Sequence, residues 1–187
     1  MLQQIGVGHA LLLMREDRGR GCDVDETPHA GEAPRDYALR VAGAKASAGL
    51  QVLSQRRAMI QPVLGADTTI TLDGRIIGKP LDAAHAVEIL TLLSGRAHGV
   101  ITAVAVAYGE RIETCVSVST VWMSALDPAR IRAYVHSGEP LDKAGAYAVQ
   151  GRAAAFIARI EGSYSGIMGL PLAETADLLK HFGVDTP

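Results

Sequence analysis

An aspartate interrupts an otherwise apolar and β-branched run at residues 64–70, "LGADTTI". Burying an ionised carboxylate is costly unless the group is paired with a cation or bound to a metal. Asp67 is therefore expected to have either a partner or a chemical task. An aspartate in "GADT" is also typical of a turn or a cap, where the carboxylate accepts hydrogen bonds from its own backbone. The residue alone leaves both interpretations open.

Other charged residues also break the local pattern, and apart from Lys45 they are predicted in loops or at the edges of elements. They are the Asp25-Glu26 pair, Lys45, Lys79, and the polar segment from Glu139 to Gln150, which contains Lys143. Carboxylates hold Mg²⁺ together with substrate phosphate oxygens, and lysines supply positive charge to the remaining oxygens. The residue types therefore favour a phosphate-and-metal site. Each residue taken singly is also typical of an ordinary solvated surface.

Several common catalytic patterns are missing from the printed sequence. It contains no G-x-S-x-G elbow, no G-x-G-x-x-G fingerprint and no zinc spacing among its six histidines. "GRIIGKP" is the nearest match to a phosphate-binding P-loop, but Pro80 follows Lys79 where that loop needs Ser or Thr. His98, at the head of a predicted strand, is interpreted as structural rather than as a ligand.

Composition limits the class of protein. The 187 residues are 48% hydrophobic and 20% charged, with a net charge of −2, which predicts one globular domain over 1–187. A slightly acidic chain with 4% aromatic residues does not favour a nucleic-acid or membrane partner. Cys22 and Cys115 lie far apart and suit free thiols in a reducing compartment. With no targeting pattern, a cytoplasmic protein is expected.

Helices and hairpins alternate along the chain. A helix is predicted from Pro34, with an apolar face at Tyr37, Val41, Ala44 and Ala48, and Lys45 mid-helix. Hairpins are predicted at Asp73-Gly74 and around Tyr108-Gly109-Glu110, helices after Asp82 and Asp127, a strand at "AAFIARIEG", and a closing helix from Pro171. This alternation predicts the α/β class with a mixed sheet, because hairpins contribute antiparallel pairs.

A set of short islands, read in order, resembles the Maf family of nucleoside triphosphate pyrophosphatases. The resemblance runs from about Asp25 to Pro171, and "SGEPLDKAGAYAVQG" is its most specific element. The islands are "DVDET", "AGAKA", "GADTTI", "GKP", "SGRAHGVIT", "SGEPLDKAGAYAVQG" and "IEGSYSGIMGLP".

The resemblance implies a fold and a reaction. The implied fold is an elongated mixed sheet flanked by helices, with two lobes around a cleft, commonly as a homodimer in the cytoplasm. The implied reaction hydrolyses a nucleoside triphosphate to the monophosphate and pyrophosphate with a divalent metal, Mg²⁺ or Mn²⁺. "AGAYAVQG" is similar to the branch acting on dTTP and UTP, which carries glutamine at the place of Gln150.

The resemblance also implies roles for individual residues. Asp67 would activate water and contact the metal, and Glu26 would be the second metal ligand. Lys45 and Lys79 would act on the phosphates in catalysis. Substrate binding would fall to the remaining matched positions, with Gln150 reading a pyrimidine edge; these are Thr68, Glu139, Lys143 and Gln150.

The printed chain differs from the family pattern at its start. Maf proteins open with a strand and a Ser-x-Ser-Pro-Arg-Arg loop before a segment like "LLQQIGV", whereas this sequence begins at "MLQQIGV". That loop would neutralise triphosphate charge. The difference favours either an internal start in a longer protein or a shortened paralogue. The second case predicts a catalytically impaired nucleotide-binding or regulatory protein affecting cell division.

Overall fold

The structure is a computed structural model that describes residues 1–13 and 24–186. Residues 15–23 of the predicted polar loop, and with them Cys22, lie outside the described residues. Five α-helices and five β-strands are present in the described part, together with short 3₁₀ turns at Leu2–Ile5, Glu139–Asp142, Ala144–Ala146 and Arg152–Phe156.

The helices are α1 (Pro34–Gln55), α2 (Ala83–Leu93), α3 (Pro128–His136), α4 (Tyr164–Ile167) and α5 (Leu172–Lys180). The strands are β1 (Val63–Leu72), β2 (Arg75–Ile77), β3 (Ala97–Tyr108), β4 (Arg111–Met123) and β5 (Ile157–Glu161).

The strands form one sheet in the order β2-β1-β3-β4-β5. Ile70 pairs with Ile77 between β1 and β2, and Val121 with Ile160 between β4 and β5, both antiparallel. The α/β class is confirmed. The sheet is antiparallel, whereas a mixed sheet was expected, because the hairpins and the return through α2 all place neighbouring strands in opposite directions.

Turn and cap residues act as their types predict. Asp73 and Gly74 have φ of 51° and 76°, which gives the tight turn between β1 and β2. Asp82 accepts a hydrogen bond from His85 N at 2.8 Å at the start of α2. Asp127 caps α3 through Ala129 N and Arg130 N, both at 2.9 Å.

Two local predictions are wrong. The strand expected from Ala154 begins at Ile157, because Arg152–Phe156 forms a 3₁₀ turn. On α1, Tyr37 and Val41 are buried as predicted, but Ala44 and Ala48 are only half-buried, and Ala42 and Ala46 are fully buried in their place. The smallest side chains face the sheet because the helix lies very close to it, as described below.

The chain divides into two compact units. The first comprises Met1–Asp67, Thr102–Val116 and Leu170–Pro187. One core cluster in this unit brings α5 side chains onto β3; its buried members are Val7, Val104, Val106, Leu170, Leu178 and Leu179. Cys115, a half-buried free cysteine, packs against this cluster, and burial raises the pKa of its thiol to about 11.

The second unit comprises Thr68–Ile101 and Ser117–Gly169. Its core combines α2, α3 and the inner ends of the strands, with Leu90, Leu93, Val100 and Val121 almost completely buried. Within residues 1–13 and 24–186, none of the helices combines the length and apolar character that crossing a bilayer requires. The expectation of two lobes around a cleft stays a prediction.

Candidate active site

Asp67 is buried on β1 and is paired with a lysine. Its side chain is 9% exposed, and Lys45 Nζ donates a hydrogen bond to its Oδ1 at 2.7 Å. Lys45 comes from α1, 22 residues earlier in the chain. Asp67 is therefore part of a strand rather than a turn, and its burial is compensated by an ammonium group.

A glycine allows Lys45 to reach Asp67. A Cβ at Gly65 would lie 2.6 Å from Ala46 N and 2.7 Å from Ala42 O, so α1 packs directly on the backbone of β1 there. The same Cβ would lie 3.0 Å from Lys45 Cβ. Any side chain at position 65 would push α1, and Lys45 with it, away from the strand.

Glu26 meets the same ammonium group. Lys45 Nζ lies 2.9 Å from Glu26 Oε1, with the Lys45 side chain 25% exposed. Burial acts to lower the pKa of Lys45, but the hydrogen bonds to Asp67 and Glu26 outweigh it and hold that pKa above its usual 10.5. Lys45 thus stays charged at neutral pH, and the three side chains carry a net charge of −1.

Two side chains of α1 hold the backbone around Glu26. Tyr37 Oη donates to Glu26 O at 2.9 Å. Arg40 donates to Asp25 O at 3.1 Å and to Thr27 O at 3.0 Å, the carbonyl groups on either side of Glu26. These contacts hold the backbone on both sides of Glu26 against α1. The Glu26 side chain extends from there to Lys45.

Glu32 in turn fixes the guanidinium of Arg40. Arg40 Nε and Nη2 donate to Glu32 Oε1 and Oε2 at 2.6 and 2.8 Å, a two-bond pairing of fixed geometry. The hydrogen bonds from Arg40 and from His29 N lower the pKa of Glu32 to about 2. Arg40 therefore fastens both ends of the loop from Asp25 to Glu32 to α1, and Tyr37 adds a hydrogen bond at Glu26.

The carboxylates of this cluster fit a hard divalent cation. Glu26 and Asp67 both direct an oxygen to within 3 Å of one cationic nitrogen, and carboxylate oxygens are the donors that Mg²⁺ and Mn²⁺ prefer. Across the described part of the chain, no three His, Cys, Asp or Glu side chains are grouped so as to hold a metal ion. A metal here would complete its shell with phosphate oxygens and water, as Mg²⁺ does in nucleotide sites.

In the second unit a backbone hydrogen bond joins the loops that carry two of the predicted lysines. Gly145 N donates to Gly78 O at 3.0 Å, which joins the loop of Lys79 to that of Lys143. Lys143 Nζ contacts both carboxylate oxygens of Asp142 at 2.7 Å. That hydrogen bond lowers the pKa of Asp142, with smaller contributions from the charges of Lys143 and Lys79. Lys79 itself is exposed.

The remaining predicted residues also lie in the second unit. Gln150 is exposed, directly after the buried stretch 145–149. Glu139 is half-buried, and its carboxylate accepts hydrogen bonds from Tyr134 Oη at 2.9 Å and Arg152 N at 3.1 Å. Thr68 is half-buried on β1, beside Gly169.

His98 is structural, as its position in the sequence indicates. It is 3% exposed, and its Nε2 lies 2.8 Å from Tyr147 Oη, with the two rings edge-to-face. Among the described residues its Nδ1 has no hydrogen-bond partner. Burial lowers the pKa of His98 to about 4, so the ring is neutral at pH 7.

The geometry thus groups Glu26, Lys45 and Asp67 in the first unit, and Lys79 and Lys143 in the second. The sequence analysis did not identify Tyr37, Arg40 or Tyr134, which hold the backbone next to predicted site residues. One signal was available: Tyr37 and Arg40 are three residues apart on α1, so they share a helix face with each other.

Comparison with known proteins identifies the family. Residues 1–182 match the family model described as "Maf-like protein". The chain is 52% identical over 184 residues to a dTTP/UTP pyrophosphatase of Nitrosomonas europaea and 55% identical to one of Aromatoleum aromaticum; each match covers 98% of this chain and 89% of the relative. A dTTP/UTP pyrophosphatase of Bordetella pertussis is 46% identical over 187 residues, covering 100% of this chain and 88% of the relative. The match over nearly all of the sequence means that this chain belongs to the Maf family.

Proposed function

We propose that this chain is a nucleoside triphosphate pyrophosphatase that hydrolyses dTTP and UTP to the monophosphate and pyrophosphate. The observation that carries the proposal is the pairing of buried Asp67 with Lys45 and Glu26, in a chain that shares about half its residues with relatives named for this activity. Such a cluster offers a carboxylate base and a fixed positive charge at the same point, which hydrolysis of a phosphoanhydride requires.

The proposed step at Asp67 is general-base catalysis. Asp67 orients a water molecule and accepts its proton as the water oxygen bonds to the α-phosphorus. The bond from the α-phosphorus to the bridging oxygen breaks, and pyrophosphate leaves with that oxygen and its electron pair. Lys45, held charged by its two carboxylate partners, sits beside Asp67 to offset the negative charge that develops on the phosphoryl oxygens.

A divalent metal, Mg²⁺ or Mn²⁺, is part of the proposal. Glu26 and Asp67 would hold it, and the ion would supply charge neutralisation and Lewis-acid polarisation of the phosphate oxygens. The support is the chemistry of the donor set: two carboxylates, the donors that such ions prefer, lie near one another on either side of the Lys45 ammonium group.

Binding of the rest of the nucleotide is assigned to the other residues that match the family pattern. Lys79 and Lys143 would bind phosphate oxygens, each such donor being typically worth about 3 kcal/mol in the transition state. The backbone bond between their loops supports a joint role, because it keeps the two ammonium groups on neighbouring segments. Gln150, exposed at the end of a buried segment, would read the pyrimidine edge, and Thr68 would assist substrate binding.

The reaction is tested by pyrophosphate release from dTTP, UTP and methylated GTP with Mg²⁺ or Mn²⁺. We expect turnover of dTTP and UTP and much slower turnover of methylated GTP. Folded protein that releases nothing from any of the three would contradict the proposal, and would favour a nucleotide-binding or regulatory role without catalysis.

The role of Asp67 as the general base is tested by Asp67→Asn, which keeps the size of the side chain and removes its basicity. We expect kcat for dTTP to fall roughly 100- to 10,000-fold, the usual contribution of a general base, with the circular dichroism spectrum unchanged. Asp177→Asn is the control, since Asp177 is an exposed carboxylate that also pairs with a lysine, Lys180. Turnover of the Asp67 variant at the unsubstituted rate would remove Asp67 from the mechanism.

The proposed setting is a cytoplasmic homodimer with the nucleotide as its ligand. The resemblance to the family supports this setting. Sedimentation velocity of the purified chain at micromolar concentration tests the assembly: we expect twice the mass of one chain, and a single-chain mass would contradict the dimer.

A further inference from the structure

Gln150 lies between two backbone positions that side chains of one small cluster hold in place. Ala148 N, two residues before Gln150, donates to Tyr134 Oη at 3.3 Å. Arg152 N, two residues after it, donates to Glu139 Oε2 at 3.1 Å. Tyr134 Oη donates to Glu139 Oε1 at 2.9 Å, so the two anchors are joined to each other.

Glu139 uses both of its carboxylate oxygens within this cluster. Burial acts to raise the pKa of Glu139, but the hydrogen bonds from Arg152 N, Tyr134 Oη and Ala153 N outweigh it and lower that pKa. The carboxylate is therefore ionised at neutral pH and engaged by the protein. A negatively charged carboxylate whose oxygens already accept hydrogen bonds from the protein is a poor contact for a triphosphate, because like charges repel.

Gly151 allows the carboxylate to lie directly against the backbone beside Gln150. A Cβ at Gly151 would lie 2.5 Å from Glu139 Cδ and 2.7 Å from Glu139 Oε2. Gly151 has φ of −101°, which any residue can adopt, so the glycine is required by space rather than by backbone conformation. The obstructing atoms are the end of a flexible side chain, so a larger residue would displace the carboxylate and not the fold.

We propose that Tyr134 and Glu139 are positioning residues that hold Gln150 in place and so set the base selectivity of the enzyme. This inference rests on the proposed function. It gives Glu139 a role different from the substrate contact expected of it in the sequence analysis.

The physical reason is the small tolerance of hydrogen-bond readout. A side-chain amide binds the matching base edge more tightly than other edges only if its backbone is fixed to within a fraction of an ångström. With the backbone at Ala148 and Arg152 released, the Gln150 amide would bind correct and incorrect bases almost equally well. The ratio of kcat/KM for a good substrate to kcat/KM for a poor one would then fall, whereas kcat/KM for the poor substrate would change less.

The first test compares Glu139→Ala and Glu139→Gln with the unsubstituted enzyme. For Glu139→Ala we expect the ratio of kcat/KM for UTP to kcat/KM for methylated GTP to fall at least 10-fold, with kcat/KM for methylated GTP little changed. Glu139→Gln keeps an acceptor for Arg152 N and should recover part of the ratio. An equal loss for both nucleotides would overturn the proposal, because a direct phosphate contact or general damage would affect them alike.

Gly151→Ala provides a test of mechanism through the double variant. Alone, it should lower the same ratio as Glu139→Ala does, because the added methyl group displaces the carboxylate. In the Glu139→Ala background the added methyl group has room, so the double variant should match Glu139→Ala alone. Losses that multiply in the double variant would overturn the link between Gly151 and Glu139.

Hydrogen exchange gives a readout that needs no turnover. Peptides covering 148–152 should exchange faster in Glu139→Ala, in Tyr134→Phe and in Gly151→Ala than in the unsubstituted chain. Unchanged exchange in all three would overturn the positioning role. Glu161→Gln, an exposed carboxylate paired with Arg159, and Gly8→Ala, with open space around it, are the matched controls and should change neither exchange nor selectivity.

The two readouts separate this inference from the function on which it rests. An unsubstituted chain that hydrolyses no nucleotide would overturn the proposed function and the selectivity claim together. Hydrogen exchange would still decide whether Tyr134 and Glu139 hold the segment around Gln150.

Discussion

At the scale of single residues, the position of Glu26 depends on Arg40. One guanidinium binds the carbonyl groups of Asp25 and Thr27 and both oxygens of Glu32. Without it, the loop that carries Glu26 keeps only the Tyr37 hydrogen bond to α1 among these contacts. Arg40 is thus a positioning residue for a proposed metal ligand.

Arg40→Ala is expected to lower kcat for dTTP roughly 100-fold, the loss typical of a displaced catalytic group. It should also raise the Mn²⁺ concentration needed for half-maximal rate. Arg40→Lys should recover only part of both, because an ammonium group cannot reproduce the paired geometry of a guanidinium. Steady-state rates over a Mn²⁺ titration measure both effects. Arg159→Ala, which removes an exposed arginine, is the control, and unchanged Mn²⁺ dependence in Arg40→Ala would contradict the role.

The residues that could be predicted from the sequence are those whose type is unusual for its place. Asp67 is detectable because a carboxylate stands in an apolar run, and Glu26 and Lys45 through the family islands around them. Arg40 and Tyr134 were not predicted, because their backbone partners lie 13 to 15 residues away in the sequence. An arginine on a helix surface looks the same in sequence whether or not it binds a distant carbonyl group.

At the scale of elements, the site in the first unit depends on how closely α1 lies on β1. A Cβ has no room at Gly65, where it would lie 2.6 Å from Ala46 N, or at Gly49, where it would lie 2.7 Å from Val63 Cγ1. The obstruction at Gly65 is helix backbone, which cannot move without moving Lys45. Strand and helix therefore act as one support for the Lys45–Asp67 pair.

Gly65→Ala is expected to destabilise the protein by about 1–3 kcal/mol, the usual cost of overpacking, and to lower kcat by separating Lys45 from Asp67. Urea denaturation and turnover of dTTP measure the two effects. Gly43→Ala is a matched control in α1 itself, because the nearest atom to its added Cβ is 3.8 Å away. It should be neutral or stabilise the helix by up to about 1 kcal/mol. Equal behaviour of the two variants would contradict the close contact.

Elements with strong local signals were predicted well, and those without them were not. The Asp73-Gly74 turn and the caps at Asp82 and Asp127 are where their residue types indicate. The 3₁₀ turn at Arg152–Phe156 was missed because its Ala-Phe sequence carries no turn signal, and hydrogen bonding to Glu139 decides its start. The predicted face of α1 is confirmed at Tyr37 and Val41 but not at Ala44 and Ala48, because the contact with Gly65 is made at Ala42 and Ala46 instead.

At the scale of the whole molecule, a buried neutral histidine makes stability depend on pH. His98 has a pKa of about 4 in the folded protein and about 6.5 when unfolded. Below pH 6.5 the unfolded chain binds a proton that the folded chain does not, so stability falls as the pH falls and levels off below pH 4. The shift corresponds to on the order of 3 kcal/mol.

Urea denaturation at pH 7, 6, 5 and 4 measures this dependence. The His98→Asn variant should show a shallower loss of unfolding free energy between pH 6.5 and 4, whatever its stability at pH 7. His85→Asn is the control, since His85 lies in an exposed contact at the start of α2. Identical slopes for His98→Asn and the unsubstituted chain would exclude His98 as the source.

The α/β class followed from the alternation of helices and hairpins, but the strand order did not. The order β2-β1-β3-β4-β5 depends on β3 pairing with β1 after the chain returns through α2. That pairing joins segments far apart in sequence, and each of the two compact units likewise collects separate segments of the chain. Neither leaves a local pattern.

The close contact between α1 and β1 has a consequence for how this protein tolerates change over evolution. In most cores the largest side chains are the least replaceable, since removing them leaves cavities. Here the least replaceable positions should be small ones: Gly49 and Gly65, where even one added methyl group has no room, and the fully buried Ala42 and Ala46. In a saturation-mutagenesis library scored for function, these alanine and glycine positions should therefore tolerate the fewest substitutions, although their small side chains alone would not single them out.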